Sequence, residues 1–553
     1  MPPVEQVAVA PAPSGPDEAA AEPAPAPTRP LAPAAPTRSQ RRPPVPRAMW
    51  AITALHVLLL LCYSVIVPIF RAPDEYAHVD LARHLARTGT YPDYDELFVS
   101  APIFAARDTS PAYDAGGRPV GTADAVPPDA RPSFEETGPD RPSEAANQMP
   151  QHPPLYYGLS AALLSLADAA FPAWPWSFDR TVGLLRLLDV ALVAGLPALA
   201  WATARRLGCP IRTSLTAAVL MLAIPQFTHI GSVVTNDALL VVLSAVLFLL
   251  AARIVSGDLS RRTAILTGIV IGLALLTKAF ALILAPWILG AYLLSPGAPD
   301  RRDVRAGRLA WVAGLGTVIG GWWWVRNVVV HGSLQPGLRL RDAATETVTP
   351  DAGFFLSSFA DRLFGSFWGN FGWFEVALSG VAVAVATLVV AGGVTVAFVR
   401  GRVGAVRARL AYFLFPAAAL LVVVAVNSYR AYLKTGTPFV SQGRYLFPAL
   451  VGLVMVAAVG FDQVTSRRTP ALPLLAFAGA VAMHVLAIGA IMGRYWIGGA
   501  SLEGLRSMLA FSPWPPVAVF VVGVVTIGVA GWVARELLRC WGEERRGATA
   551  SLR

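Results

Sequence analysis

Two acidic residues, Asp74 and Glu75, stand side by side in the stretch FRAPDEYAHVDLARHLARTGTYP, directly after a long apolar run. A carboxylate in that place can take the proton of a hydroxyl nucleophile, and His78, one helical turn after Asp74, can orient or charge-balance it. Adjacent helical residues diverge by about 100°, so one acid faces a cavity while the other caps the helix or faces water. Asp74 is the favoured base, and Glu75 is the alternative base or a metal contact. The competing account is structural: Asp74 is a good N-cap for the helix that follows, and acids in a first turn suit the macrodipole.

Three further sets of residues carry chemistry. In NQMPQHPPLYYGLSAAL the diproline Pro153 and Pro154 fixes an extended backbone, and Tyr156 and Tyr157 sit where rings favour a membrane interface. An interface belt accounts for the tyrosines but not for Gln151 and His152 ahead of a rigid diproline. Polar residues also stand in or beside apolar runs: Asn236 and Asp237 in TNDALL, Lys278 in GLALLTKAF, Arg326 and Asn327 in WWWVRNVVVHG. A charge at membrane depth is costly and marks a functional site by default. The plainer account is that Lys278 and Arg326 snorkel to the interface. Glu375 in FWGNFGWFEVAL and Arg444 in VSQGRYLFPAL lie at the ends of spans, and Trp322, Trp323 and Trp324 either anchor at the interface or position a ligand.

The elements that must hold these residues are membrane spans. The 553-residue chain is 55% hydrophobic and only 14% charged, with a mean hydropathy of +0.54, and that combination means membrane. Its net charge of +10 does not point to nucleic acid, because the arginines fall between apolar runs instead of on one folded face. Apolar runs near 49–70, 181–204, 213–230, 237–254, 263–277, 279–294, 309–330, 376–399, 410–427, 445–461, 471–492 and 515–534 make about twelve transmembrane helices. Reading 263–294 as two short spans that meet near Lys278 puts every Arg-rich connection on one side of the membrane.

Both termini then face the cytoplasm. Residues 1–48, rich in Pro and Ala, read as a disordered tail, and 49–70 as an uncleaved anchor. An N-terminal module (49–330) includes an external loop (71–180) with an amphipathic helix from Glu75 to Thr88 stopped by Gly89. An external loop (331–375), a C-terminal module (376–538) and a cytoplasmic tail (539–553) follow, with a shorter external connection at 428–444. Cys62, Cys209 and Cys540 give no external disulfide framework. Arginine outnumbers lysine, present only at Lys278 and Lys434, which suggests a GC-rich bacterial genome.

Taken in order, APDEYAHVDLARHLARTGTYP, QHPPLYYGL, TNDALL, GLALLTK, WVRNVVVHG, FWGNFGW and GRYLFP resemble a bacterial family of predicted membrane proteins, domain of unknown function 2142, over roughly residues 50–500. The front half also resembles the GT-C class of glycosyltransferases, polytopic enzymes that move a sugar from a polyprenyl-phosphate carrier to an acceptor outside the cytoplasmic membrane. The resemblance implies an all-α, GT-C-like polytopic fold and a catalytic or metal-contacting acid at Asp74 or Glu75. Many members of that class carry a spaced Asp-x-Asp where this chain has adjacent acids, which leaves a divalent cation open.

The residues suit inverting transfer. A base, Asp74 or Glu75, deprotonates the acceptor, and a phosphate leaving group needs cations instead of a second acid. Lys278, Arg326 and Arg444 are the candidates to hold that phosphate, with His152, Tyr156, Asn236 and Asp237 as further substrate contacts. The expected partners are a polyprenyl-phosphate sugar donor, an envelope glycan or lipid acceptor, and the bilayer. The alternatives are a transporter or flippase of lipid-linked saccharide, or a non-catalytic partner in an envelope-polysaccharide complex. Ionisable residues near the midplane of several spans would favour the transporter. His484 and Asp189 stand out as such residues; the other charges hug the span ends.

Overall fold

The apolar run after the first arginines forms α1 (Arg47–Ile66), which stops at Val67, where the chain turns extended before Pro68. This computed structural model describes residues 45–109, 119, 122, 125–296, 302–336, 349–401, 404–438, 441–465 and 471–550. The tail expected at 1–48 lies outside the described residues except for its last four, of which Arg47 and Ala48 are already helical.

The segment between the first two hydrophobic runs is a folded layer. Its first element is α2 (Glu75–Thr88), closed by Gly89 at φ 67° with the Gly89 N–H bonded to the Leu85 carbonyl, as the sequence predicts. Strand β1 (Phe98–Ser100), helix α3 (Ala101–Thr109) and strand β2 (Pro142–Ala146) follow, and β1 and β2 pair antiparallel. Helix α4 (Leu155–Ala170) then packs along α2. Val79, Leu81, Tyr156, Tyr157 and Leu185 share the small core of this layer, separate from that of the membrane helices. Both tyrosines are wholly buried, so the interface belt expected of them is corrected. Their rings fill a core because α4 turns them toward α2.

The remaining helices carry the hydrophobic runs. They begin with α5 (Phe178–Val193), α6 (Leu196–Arg206), α7 (Ile211–Leu222), α8 (Pro225–Ile230) and α9 (Asn236–Val255). The 263–294 stretch is two helices, α10 (Arg261–Leu275) and α11 (Ala281–Leu294), separated around Lys278 as the charge pattern predicts. Next, α12 (Arg302–Gly316) passes through a π turn at Thr317–Gly321 into α13 (Trp322–His331). Helix α14 (Ala352–Trp368) leads into a two-stranded ribbon, β3 (Asn370–Phe371) with β4 (Val376–Ala377). Helices α15 (Gly380–Arg400) and α16 (Gly404–Thr435), a 3-10 turn at Gly443–Ala449, α17 (Leu450–Val464), α18 (Leu472–Tyr495), α19 (Leu502–Phe511) and α20 (Pro516–Ala550) complete the chain.

Among the described residues eight helical segments are long and apolar enough to cross a membrane. They are α1, α5 with α6, α9, α15, α16, the 3-10 turn with α17, α18 and α20. The other four expected runs are helical but fall short: Pro225 starts a new helix after α7, α10 and α11 have 15 and 14 residues, and α12 opens on charged residues. The two halves of the chain share a core, with α7 packed on α17 and α18, and α11 on α16. Helices α15 and α17 meet backbone to backbone: a Cβ on Gly460 would lie 2.7 Å from the Gly393 carbonyl carbon.

Candidate functional site

Asp74 does not cap α2. Its backbone is left-handed, φ 61° and ψ 6°, and its side chain makes no capping hydrogen bond. The helix is started instead by the Asp74 carbonyl, which accepts from the Ala77 and His78 N–H groups at 3.0 and 3.1 Å. A non-glycine residue in this conformation carries strain of about 1–3 kcal/mol and persists where its surroundings hold it. Freed from the cap, the carboxylate accepts from Gln148 Nε2 at 3.1 Å and pairs with Arg444 Nη2 at 3.1 Å.

Glu75 has the opposite surroundings. It is fully buried, and its oxygens accept from Arg186 Nε and Nη2, both at 2.7 Å, from the Phe70 N–H at 2.8 Å and from the Val234 N–H at 3.2 Å. Those four donors fill a carboxylate's acceptor positions. Arg186 spends its other donors on the Ser64, Val67 and Pro68 carbonyls, which ties the end of α1 to α5. Glu75 therefore has no lone pair left for a proton or a cation, and the adjacent acids do not fit a shared metal.

His78 is buried and bonds Tyr157 through Nδ1 at 2.9 Å with the rings stacked; among the described residues its ring makes no hydrogen bond to the Asp74 carboxylate, which the shared helical face suggested. Asp74 lies outside the helical conformation, so the face argument fails for it. Burial, followed by the charges of His152, Lys278 and Arg444, holds the His78 imidazole well below its usual range. His152 is also buried, its Nδ1 without a hydrogen-bond partner among the described residues, and burial with the Lys278 charge lowers it to about 3. Both rings are neutral at physiological pH.

Across from α2, the Thr235 hydroxyl caps α9 by accepting from the Asp237 N–H at 3.3 Å. That sets Asn236 and Asp237 in the first turn, where Lys278 Nζ donates to Asp237 Oδ1 at 2.7 Å and to Asn236 Oδ1 at 3.1 Å. Arg444 Nε lies 3.8 Å from Asp237 Oδ2. Asp74, Arg444, Asp237 and Lys278 thus alternate in sign. Arg444 is placed by Gly443, where a Cβ would fall 2.5 Å from the Leu363 carbonyl oxygen, so only glycine lets the 3-10 turn rest on α14. The Gly443 N–H donates to Ser366 Oγ at 2.8 Å there.

Asp74, Lys278 and Arg444 line a cavity of about 270 Å³, whose walls also include His78, Gln148 and His152. Four expected contacts are absent from that wall: Asn236 and Asp237 are buried against Lys278, and the other two lie elsewhere. Arg326 pairs with Asp93 at 3.0 Å and sits over the Trp323 ring, away from the cavity wall. Tyr156 is buried and donates to Asp189 Oδ2 at 2.9 Å. Lys278 is not a snorkelling side chain, since its ammonium is buried against Asp237. Sequence reasoning missed Arg186 and Gln148. Arg186 is a charge inside an apolar run, the signal that singled out Asp189 three residues on, and it adds a buried charge to a span. Nothing local distinguishes Gln148 from its neighbours.

The chain is a polytopic, mostly helical membrane protein with a buried, charge-lined cavity at the base of its first long loop. It belongs to the family described as "Predicted membrane protein (DUF2142)", whose sequence profile matches residues 57–453. No curated protein matches the sequence. Among solved structures it is similar to ArnT from Cupriavidus metallidurans bound to undecaprenyl phosphate, with 14% identity, 88% of this chain and 77% of that chain covered, and a TM-score of 0.41. The apo state of that protein gives 15%, 90%, 75% and 0.44. The apo oligosaccharyltransferase of Archaeoglobus fulgidus gives 12%, 83%, 56% and 0.40.

Proposed function

We propose that the chain transfers a sugar from a polyprenyl-phosphate carrier to a cell-envelope acceptor on the outer face of a bacterial cytoplasmic membrane. One observation carries this reading: the Asp74 carboxylate, strained out of the capping conformation, shares a cavity with the cations Lys278 and Arg444. In the reaction Asp74 takes the proton of the acceptor hydroxyl, whose oxygen forms a bond to the anomeric carbon. The bond from that carbon to the phosphate oxygen breaks, and its electron pair leaves with the carrier phosphate. Lys278 and Arg444 hold the anion that departs, so no acid is needed on the leaving side. Neutral His152, on the cavity wall, hydrogen-bonds a sugar hydroxyl or the phosphate. Glu75 is assigned to the scaffold and Arg326 to the Asp93 pair.

The donor half of this reading is tested by native mass spectrometry of the full chain with a polyprenyl phosphate and with the matching polyprenol. Retention of the phosphate over the alcohol, weakened in Lys278→Gln and Arg444→Gln, is expected. Equal retention of both lipids by the wild type would contradict it.

A further inference from the structure

The α2–α4 pair carries a second polar cavity at its far end. His78 and Tyr157 meet near the start of the pair; five and nine residues on, roughly 8 and 14 Å along the helix, Arg83 and Arg87 line two openings. The first opening, about 370 Å³, is lined by Arg83, Arg87, Glu135, Asp168, Trp174 and Thr181 among others. The second, about 280 Å³, shares the two arginines and adds Asp80, Glu96 and Asp140.

Arg83 is the unusual member. It is 93% buried, at 7% exposure, yet its only hydrogen bond among the described residues is from Nη2 to Glu135 Oε1 at 2.9 Å. The guanidinium lies 4.1 Å from the centre of the Phe134 ring, and Arg83 lines both cavities with N–H donors beyond the one given to Glu135. Arg87 pairs with Asp140. On the opposite wall Asp168 is exposed, and the half-buried Trp174 indole makes no hydrogen bond through Nε1 among the described residues. Glu135 and Asp168 would repel an anion, and an apolar chain would strand the charged groups. Hydroxyls that donate to carboxylates and accept from a guanidinium, on a ring whose C–H face can lie against an indole, match all of them.

We infer that this outer cavity binds a saccharide. Under the transfer reading above, that saccharide is part of a glycan acceptor, but the binding itself does not depend on that reading.

The test is retention of the full chain, in lipid nanodiscs, on immobilised linear oligosaccharides of hexose, uronic acid and N-acetylhexosamine. Binding to at least one class is expected. Asp168→Ala and Trp174→Ala should each weaken it by about fivefold or more, the scale of one hydrogen bond or one stacked ring, while keeping wild-type retention of a polyprenyl phosphate. Asp168 is exposed, so its variant keeps the fold and the readout stays interpretable if Trp174→Ala does not. No retention of any saccharide class, or equal retention by wild type and Asp168→Ala, overturns the inference. Failure of sugar transfer with binding intact would count against the transfer reading alone.

Discussion

Four donors converge on Glu75, and two of them belong to a guanidinium that is only 1% exposed, so its replacement is a structural event. Removing one partner of a buried ion pair costs about 3–5 kcal/mol. Arg186→Leu and Glu75→Gln should therefore lower the melting temperature and yield of the protein, and wild-type melting in both would show that the pair is dispensable. His152 makes a pH prediction. Its folded value is depressed to about 3 from an ordinary 6.5, so the unfolded chain takes up the proton first on acidification. Its contribution to stability is whole above 6.5 and is lost as the pH falls toward 3, by at most about 1.4 kcal/mol per unit. Melting temperature should drop over that window and drop less in His152→Gln; identical slopes would contradict this. At this scale Asp74 was legible because an acid after an apolar run is out of place unless it has a role. Its escape from capping was not, because a left-handed φ leaves no mark on sequence, and Arg186 looked like one more charge until Glu75 was seen against it.

The elements fix where those side chains point. The 3-10 turn that carries Arg444 rests on α14 through Gly443, with no room for a Cβ. Gly443→Ala should displace the turn and reduce polyprenyl-phosphate binding about tenfold, the effect of losing a charge-assisted contact, although the alanine itself removes no contact to the ligand. Unchanged binding in Gly443→Ala would mean that Arg444 reaches the cavity by another route. Helix α2 and its stop at Gly89 were readable because periodicity, a polar face and a terminal glycine agree. The division of 263–294 was readable from arginine placement. Arg326 was misplaced because position at a span end says nothing about rotation around the helix axis, and α13 turns it toward Asp93.

For the whole molecule, the arginine asymmetry predicts that the α2–α4 layer faces outward. In a cysteine-free background, Ala145→Cys in β2 should react with an impermeant thiol reagent in intact cells, and Ser256→Cys between α9 and α10 should not; both positions are exposed. The reverse pattern would place the cavity on the wrong side of the membrane for an external acceptor. Membrane class and mostly helical architecture were evident from composition, because hydropathy registers at every residue. The packing of the two halves around one core was not, since it depends on glycines such as Gly452, where a Cβ would lie 2.6 Å from Phe248 Cε1, that look like any others in an apolar run. The most direct measurement is the rate at which right-side-out vesicles carrying the full chain move radiolabelled sugar from an added polyprenyl-phosphate donor to envelope acceptor, wild type against Asp74→Asn. The account predicts transfer by the wild type and a loss of about 10²-fold or more in the variant, with the protein still folded and inserted because Asn tolerates the left-handed backbone and its Oδ1 can still accept from Gln148; transfer at equal rates in both, or none in the wild type, would contradict it.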